Sequence, residues 1–211
     1  MEFIFIQIAF KQFGNVKIDV RKENIGALSI SGHKFYGPKG IGICYINGKI
    51  PFLRIQDGGH QENDKRAGTE NVPLIVGISK AMELANNEMI ENNKHIKYLR
   101  DYYIHEISDR VPYIRINGDL EKRLPGNANI CFKGIDGSRL LYELNERGIC
   151  ASSGSACSSG FLNPSHVLLA IGVPKDLAKS SLRITFGKNN SIEDVKYLVD
   201  CIEEIVNSMR K

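Results

Sequence analysis

Ser29-Ile30-Ser31-Gly32-His33-Lys34-Phe35-Tyr36-Gly37-Pro38-Lys39-Gly40 is the stretch on which the fold of this chain turns. The apolar run leading into it, Ile25 to Ile30, reads as a buried strand, and Ile41 to Ile46 beyond the Gly/Pro turn reads as a second β-rich run. A lysine where a strand ends, flanked by Ser31 and His33, is held by the sheet while its amine projects into a cleft. That placement suits a Schiff-base lysine, whose nitrogen must be desolvated enough to attack an aldehyde. A surface lysine in a loop would show the same residues. The rest of the chain bears on the choice.

With 211 residues the chain is long enough for one large domain or two small ones. A net charge of +4, with the basic residues scattered, does not imply nucleic acid. No apolar run approaches the ~20 residues of a membrane span, and no signal-peptide pattern is present. The 5 cysteines form no C-x-x-C pair, so neither a disulfide framework nor a zinc site is indicated and the expected metal content is none. A reducing cytoplasm is the expected compartment.

Phe13 to Val20 reads as a turn and short strand ahead of the Lys34 unit. The polar stretch from Asp57 to Asn71 is a long loop of the kind that carries function. Asn71 can cap a helix with Pro73 in its first turn. Its apolar positions run through Ile75, Ile78, Met82, Ala85 and Met89 and resume at Ile96, Leu99, Tyr103 and Ile107. The stripe thins at Asn92-Asn93, which places a helix break and a domain change there: 1–93 and 94–211. The second half alternates strand and helix, with strands at Tyr113–Ile116, Ala128–Phe132 and Ser181–Phe186. Asp136 caps a helix carrying Leu140, Leu141 and Leu144, and Ser165–Ile171 is a short helix. Ser191 caps the last helix, with Asp194 completing a capping box. The stripe Val195, Leu198, Val199, Ile202, Ile205, Val206, Met209 is core.

Cys44, Cys131, Cys150 and Cys201 fall in or at the ends of regular elements and read as small core hydrophobes. Cys157 differs, because Ser152, Ser153, Gly154, Ser155, Ser158, Ser159 and Gly160 surround it and have little to bury. A thiol there is suited to entering a site and leaving it again. His95 and His105 read as surface residues, His60 and His166 stand near the two unusual loops, and His33 is the histidine placed for chemistry. Arg183, amid Leu182, Ile184 and Phe186, is an arginine on a buried strand that needs a partner. A clamp for a substrate carboxylate and a structural ion pair explain it equally well.

From about Phe13 to the C-terminus the chain resembles the cysteine desulfurases of the NifS/IscS type. The resemblance rests on SGHK-x-x-GPKG-x-G, on GG-x-QE followed by R-x-GTEN, on SSGSAC-x-SG with PSHVL close behind, and on S-x-R in the next strand. It implies an α/β chain: the end of the large domain of a fold-type-I, aspartate-aminotransferase-like enzyme, plus an α+β small domain. The implied cofactor is pyridoxal 5'-phosphate and the implied substrate L-cysteine. By position, Lys34 would form the Schiff base and move the Cα proton, Ser31 and His33 would hold the cofactor phosphate, and Arg183 would bind the substrate carboxylate. Thr69 would reach the phosphate of a neighbouring subunit's cofactor, which implies a homodimer. Cys157 would take the sulfur as a persulfide and pass it to an iron–sulfur scaffold or a tRNA-thiolation enzyme. Ala156 stands where the selenocysteine-lyase subgroup has a histidine.

The pattern breaks before Phe13. Family members are nearly twice as long, and their D-x-x-Q motif, whose aspartate pairs with the pyridinium nitrogen, falls on Ile8 and Lys11 here. Read back into codons and shifted by one base, residues 1–12 can encode Gly-Ile-Tyr-Phe-His-Thr-Asp-Cys-Val-Gln-Ala, running into Phe13-Gly14 with the missing aspartate and glutamine restored. The expectation is therefore an internal start, a frameshift near Gln12 and out-of-frame peptide over 1–12. Two readings follow: a cysteine desulfurase represented by its C-terminal half, or an inactive remnant or persulfide-carrying fragment. An aminotransferase of the same fold type is a third, against which the Cys157 loop argues.

Overall fold

The computed structural model describes residues 6–8, 13–153 and 164–211. The chain is mixed α/β and divides into two compact units, Met1–Ile90 and Glu91–Lys211.

In the first unit the apolar run becomes β2 (Ala27–Ser31), paired in parallel with β1 (Ile6–Ile8) and antiparallel with β3 (Gly42–Ile46). Period-2 alternation sends Leu28 and Ile30 of β2 into a core with Ile25 and Phe35, where Ile43 and Tyr45 of β3 also pack. Cys44, one residue out of phase, is exposed, which corrects the expectation that it is a core residue. Phe13, Ile18 and Val20 pack on this core from irregular backbone, not from the expected strand. The reason is local: the Asp19 carboxylate accepts from the backbone N–H groups of Arg21 and Lys22, both at 3.1 Å, and bends the chain into a turn.

Loop 57–71 holds one short turn, α1 (Gln61–Asp64), in which Glu62, Asn63 and Asp64 all have positive φ. Helix α2 (Val72–Arg110) follows, and Asn71 Oδ1 accepts from the N–H of Leu74 at 3.2 Å. It runs through Asn92 and Asn93 without the expected break. Asparagine costs a helix interior only a few tenths of a kcal/mol more than an average residue. The thinning stripe instead marks where the helix stops serving one core, through Ile78 and Ala81, and starts serving the other, through Ile96, Leu99, Tyr103 and Ile107.

The second unit is built on an antiparallel sheet ordered β4-β5-β6: β4 (Ile114–Ile116), β5 (Asn127–Phe132) and β6 (Ser181–Thr185). Ala128, Ile130 and Phe132 alternate into one face with Leu182 and Ile184. That face is covered by the second part of α2, by α3 (Gly137–Glu146) and by α6 (Ile192–Met209), whose expected stripe from Val195 to Val206 is buried. Tyr103, fully buried, packs edge-on against Phe186 with ring centroids 5.7 Å apart. Burial pushes its hydroxyl well above the usual tyrosine range. On the opposite face Cys131 packs with Leu168 of α4 (His166–Ala170) and Ala178 of α5 (Lys175–Lys179), a helix with no counterpart in the sequence reading. Cys201 is buried as expected, but Cys150, beyond the end of α3, is exposed.

Capping sets the ends of these helices. Ser191 and Asp194 form the expected reciprocal capping box on α6. Asp136 caps α3 by accepting from Ser138 and Arg139 N–H at 2.8 and 3.2 Å. Gly137 follows because a Cβ there would lie 2.4 Å from the Lys179 carbonyl oxygen. Replacing Asp136 by alanine is expected to lower stability by about 1 kcal/mol, read as a lower urea midpoint at unchanged slope.

Candidate functional site

At the end of β2 the backbone turns into a 3-10 helix, Gly32–Phe35, closed by Tyr36 in the left-handed region. The turn is pinned by Gly32 N–H to the Ile41 carbonyl and by Gly37 N–H to the Gly32 carbonyl, both at 3.0 Å. It brings Ser31 Oγ to 3.5 Å from His33 Nδ1 and sets Lys34 on the next position. Lys34 is exposed and its amine makes no hydrogen bond or ion pair among the described residues. Beside the turn lies an open groove of about 440 Å³, whose lining includes Ser31, His33, Gly40, Gly42 and Cys44 but neither a carboxylate nor Lys34, whose amine was expected to project into a cleft. Gly42 belongs to the geometry: a Cβ there would sit 2.7 Å from the Ile30 carbonyl oxygen and force β2 and β3 apart.

Thr69, also in the first unit, is exposed near the end of loop 57–71, and no hydrogen bond joins it to Ser31, His33 or Lys34 among the described residues. The loop is tied down elsewhere. His60 Nδ1 lies 2.5 Å from Asp64 Oδ1, which also accepts from Arg54 at 3.2 Å, and Gln61 Oε1 accepts from the Gly68 N–H at 3.1 Å. The His60 hydrogen bond holds the Asp64 carboxyl below the usual aspartate range.

In the second unit Arg183 sits mid-β6, half-buried. It lies out of phase with Leu182 and Ile184 and so on the face away from the helical core. An internal ion-pair partner is therefore not required of it, and none exists among the described residues. Its backbone exchanges hydrogen bonds with Ser152, at 2.6 and 3.2 Å. Cys157 lies outside the described residues.

The profile of the family described as aminotransferase class-V matches residues 9–198. This chain belongs to that family. Among curated relatives, "Cysteine desulfurase IscS" of Clostridium botulinum is 45% identical over 205 residues, covering 96% of this chain and 52% of the relative. The protein of the same name from Methanosarcina thermophila is 46% identical over 202 residues, covering 96% and 50%. A solved "NIFS-LIKE PROTEIN" superposes with TM-score 0.87 at 35% identity, covering 97% of this chain and 52% of that one. A NifS-like protein from Rickettsia africae gives 0.87 at 28% identity. The chain thus spans about half the length of the curated relatives it matches.

For a class-V aminotransferase chain, whose family is pyridoxal-phosphate-dependent, the donor set of the first unit fits that cofactor. A hydroxyl and an imidazole converge on one side of the groove, as a phosphate requires, with a primary amine on the adjacent residue for an aldehyde. Gly40 and Gly42 leave the lining open. Sequence reasoning missed the Arg54–Asp64–His60 cluster and the polar face around Arg183, where Asn117 and Asn129 stand. The alternation Asn127-Ala128-Asn129-Ile130-Cys131-Phe132 signals a two-faced strand. What its polar face adjoins depends on strand register.

Proposed function

We propose that the chain carries cysteine desulfurase chemistry, the release of alanine from L-cysteine with transfer of sulfur to Cys157. The observation that carries this reading is the turn after β2, which sets Ser31 Oγ 3.5 Å from His33 Nδ1 in the lining of an open groove, with Lys34 on the next position. Identity of 45% with a protein named for that activity, over 96% of this chain, supports it. On this reading residues 1–93 are the end of the cofactor domain and 94–211 the small domain. Ser31 and His33 hold the cofactor phosphate, Thr69 reaches that of a second copy, and Arg183 takes the substrate carboxylate. Pyridoxal phosphate, when bound, supplies an electron sink that makes the Cα–H acidic. The Lys34 amine carries that proton. The Cys157 thiolate attacks the substrate sulfur: an S–S bond forms, the Cβ–S bond breaks, and its electron pair stays on Cβ, where a proton completes alanine. The persulfide then passes to an acceptor protein such as an iron–sulfur scaffold or a tRNA-thiolation enzyme.

Exposed apolar side chains of the first unit, among them Phe52, Leu53, Ile55, Val72 and Val76, support a homodimer that buries them. No helix among the described residues is long and apolar enough to cross a membrane.

The test supplies purified chain with pyridoxal phosphate and L-cysteine, and measures alanine together with sulfane sulfur on Cys157. Both are expected to appear, and the sulfur label is expected to vanish in Cys157→Ala. The exposure of Lys34 and its absence from the groove lining favour one competing reading, a persulfide carrier without cofactor chemistry of its own. No alanine, with Cys157 still accepting sulfur from an added donor, would establish that reading instead.

A further inference from the structure

Strand register in the second unit lines up four residues from distant parts of the chain. Asn117 N–H donates to the Asn129 carbonyl at 2.9 Å, Asn129 of β5 stands directly opposite Arg183 of β6, and Arg183 is bridged to Ser152. Directly opposed residues of antiparallel strands project from the same face with Cβ atoms roughly 5 Å apart. Since Ala128, Ile130, Leu182 and Ile184 fill the helical core, Asn129 and Arg183 share the other face.

The orientation of the Asn129 amide is set from behind. Asn117, only 5% exposed, donates from Nδ2 to Asn129 Oδ1 at 2.6 Å and to Cys131 Sγ at 3.0 Å. With Oδ1 engaged, Asn129 has its Nδ2 donors left to offer beside the Arg183 guanidinium. Asn117 meanwhile keeps its own Oδ1 buried with no partner. A buried acceptor left without a partner destabilises the fold, and a small apolar residue would avoid that cost. What the arrangement provides in return is a fixed amide next to a guanidinium that has no partner among the described residues. Donors are concentrated there, and the two oxygens of a carboxylate match them.

We infer that Asn129 is a second donor to the carboxylate of the amino-acid substrate, beside Arg183, and that Asn117 is the positioning residue that holds the Asn129 amide with its donor side outward. This rests on the reading of Arg183 as the carboxylate clamp. The two residues then grip one carboxylate, Arg183 by charge and Asn129 by direction, and an amino acid lacking that carboxylate gains nothing from Asn129.

The test is an NMR titration of the full, isotope-labelled chain, incubated with pyridoxal phosphate, using L-alanine and L-alaninamide as probes. Asn129→Ala removes the donor without adding a charge and is expected to weaken L-alanine binding by about tenfold or more, while leaving L-alaninamide unaffected. Asn129→Ser, which keeps a short donor, is expected to fall between this variant and the parent. Asn117→Ala is expected to weaken L-alanine in the same direction. A purely structural Asn129 would weaken both probes together or neither, and either result overturns the inference. If Arg183→Lys weakens L-alanine but Asn129→Ala does not, Asn129 alone is misassigned. If the parent does not distinguish the probes and Arg183→Lys changes nothing, the carboxylate clamp fails and this inference with it.

Discussion

Lys34→Ala is expected to abolish covalent capture of pyridoxal phosphate. Mixing the parent chain with the cofactor and reducing with borohydride should fix the cofactor's mass on the peptide containing Lys34, and the variant should show no label there. The argument is geometric. The 3-10 turn that presents Lys34 is held by backbone hydrogen bonds at 3.0 Å on either side of it and does not depend on the lysine side chain, so alanine removes the amine without removing the turn. The amine has no ion pair among the described residues to compete with an aldehyde. Ser31 and His33, 3.5 Å apart, are the groups proposed to hold the phosphate beside it. Lys39, exposed on the same Gly/Pro turn, is the control: Lys39→Ala should leave the Lys34 label unchanged. Where alanine release is measured, Lys34→Ala should reduce it by about 10³-fold or more, since the proposed reading makes one residue both attachment point and proton carrier. A label that moves to Lys39 undiminished would sink the assignment.

The second large effect concerns stability. Phe132→Ala is expected to cost about 3–5 kcal/mol, because Phe132 is fully buried where β5 meets α2, α3 and α6 and the rigid sheet cannot close over the void. Against a typical total of about 5–15 kcal/mol this removes a large fraction of the margin. The melting temperature should fall by about 10 °C or more. Phe132→Leu, which restores most of the volume, should recover more than half of the loss. Equal melting temperatures for Phe132→Ala and the parent would mean that the second unit is not organised around this residue.

Much of the architecture was legible residue by residue. Asp136, Ser191 and Asp194 cap the helices assigned to them, and the spacing from Val195 to Val206 marks the buried face of α6, because caps and period-3.6 stripes are local chemistry. The short helix Lys175–Lys179 escaped notice, as five residues carry too little periodicity to read. The break expected at Asn92-Asn93 did not occur, since a few tenths of a kcal/mol of propensity do not interrupt a helix buried on both sides of that point. Cys44 and Cys150 were read as core because cysteine is usually buried. Alternation along β3 turns the first outward, and the second lies past the end of α3.

By itself the sequence determined the two strands with the Ser31–His33–Lys34 turn between them, the polar loop 57–71, the capped helices and the family to which the chain belongs. These follow from neighbours along the chain, whose side-chain chemistry and spacing act over a few residues. Only the tertiary structure decided that Asn117, Asn129, Arg183 and Ser152 form one row across a sheet, and that the Asn129 amide is held by a buried partner. That row depends on register between distant strands. A slip of one residue would have turned Asn129 or Arg183 into the helical core, and the burial of Ile130, Phe132, Leu182 and Ile184 opposes that slip.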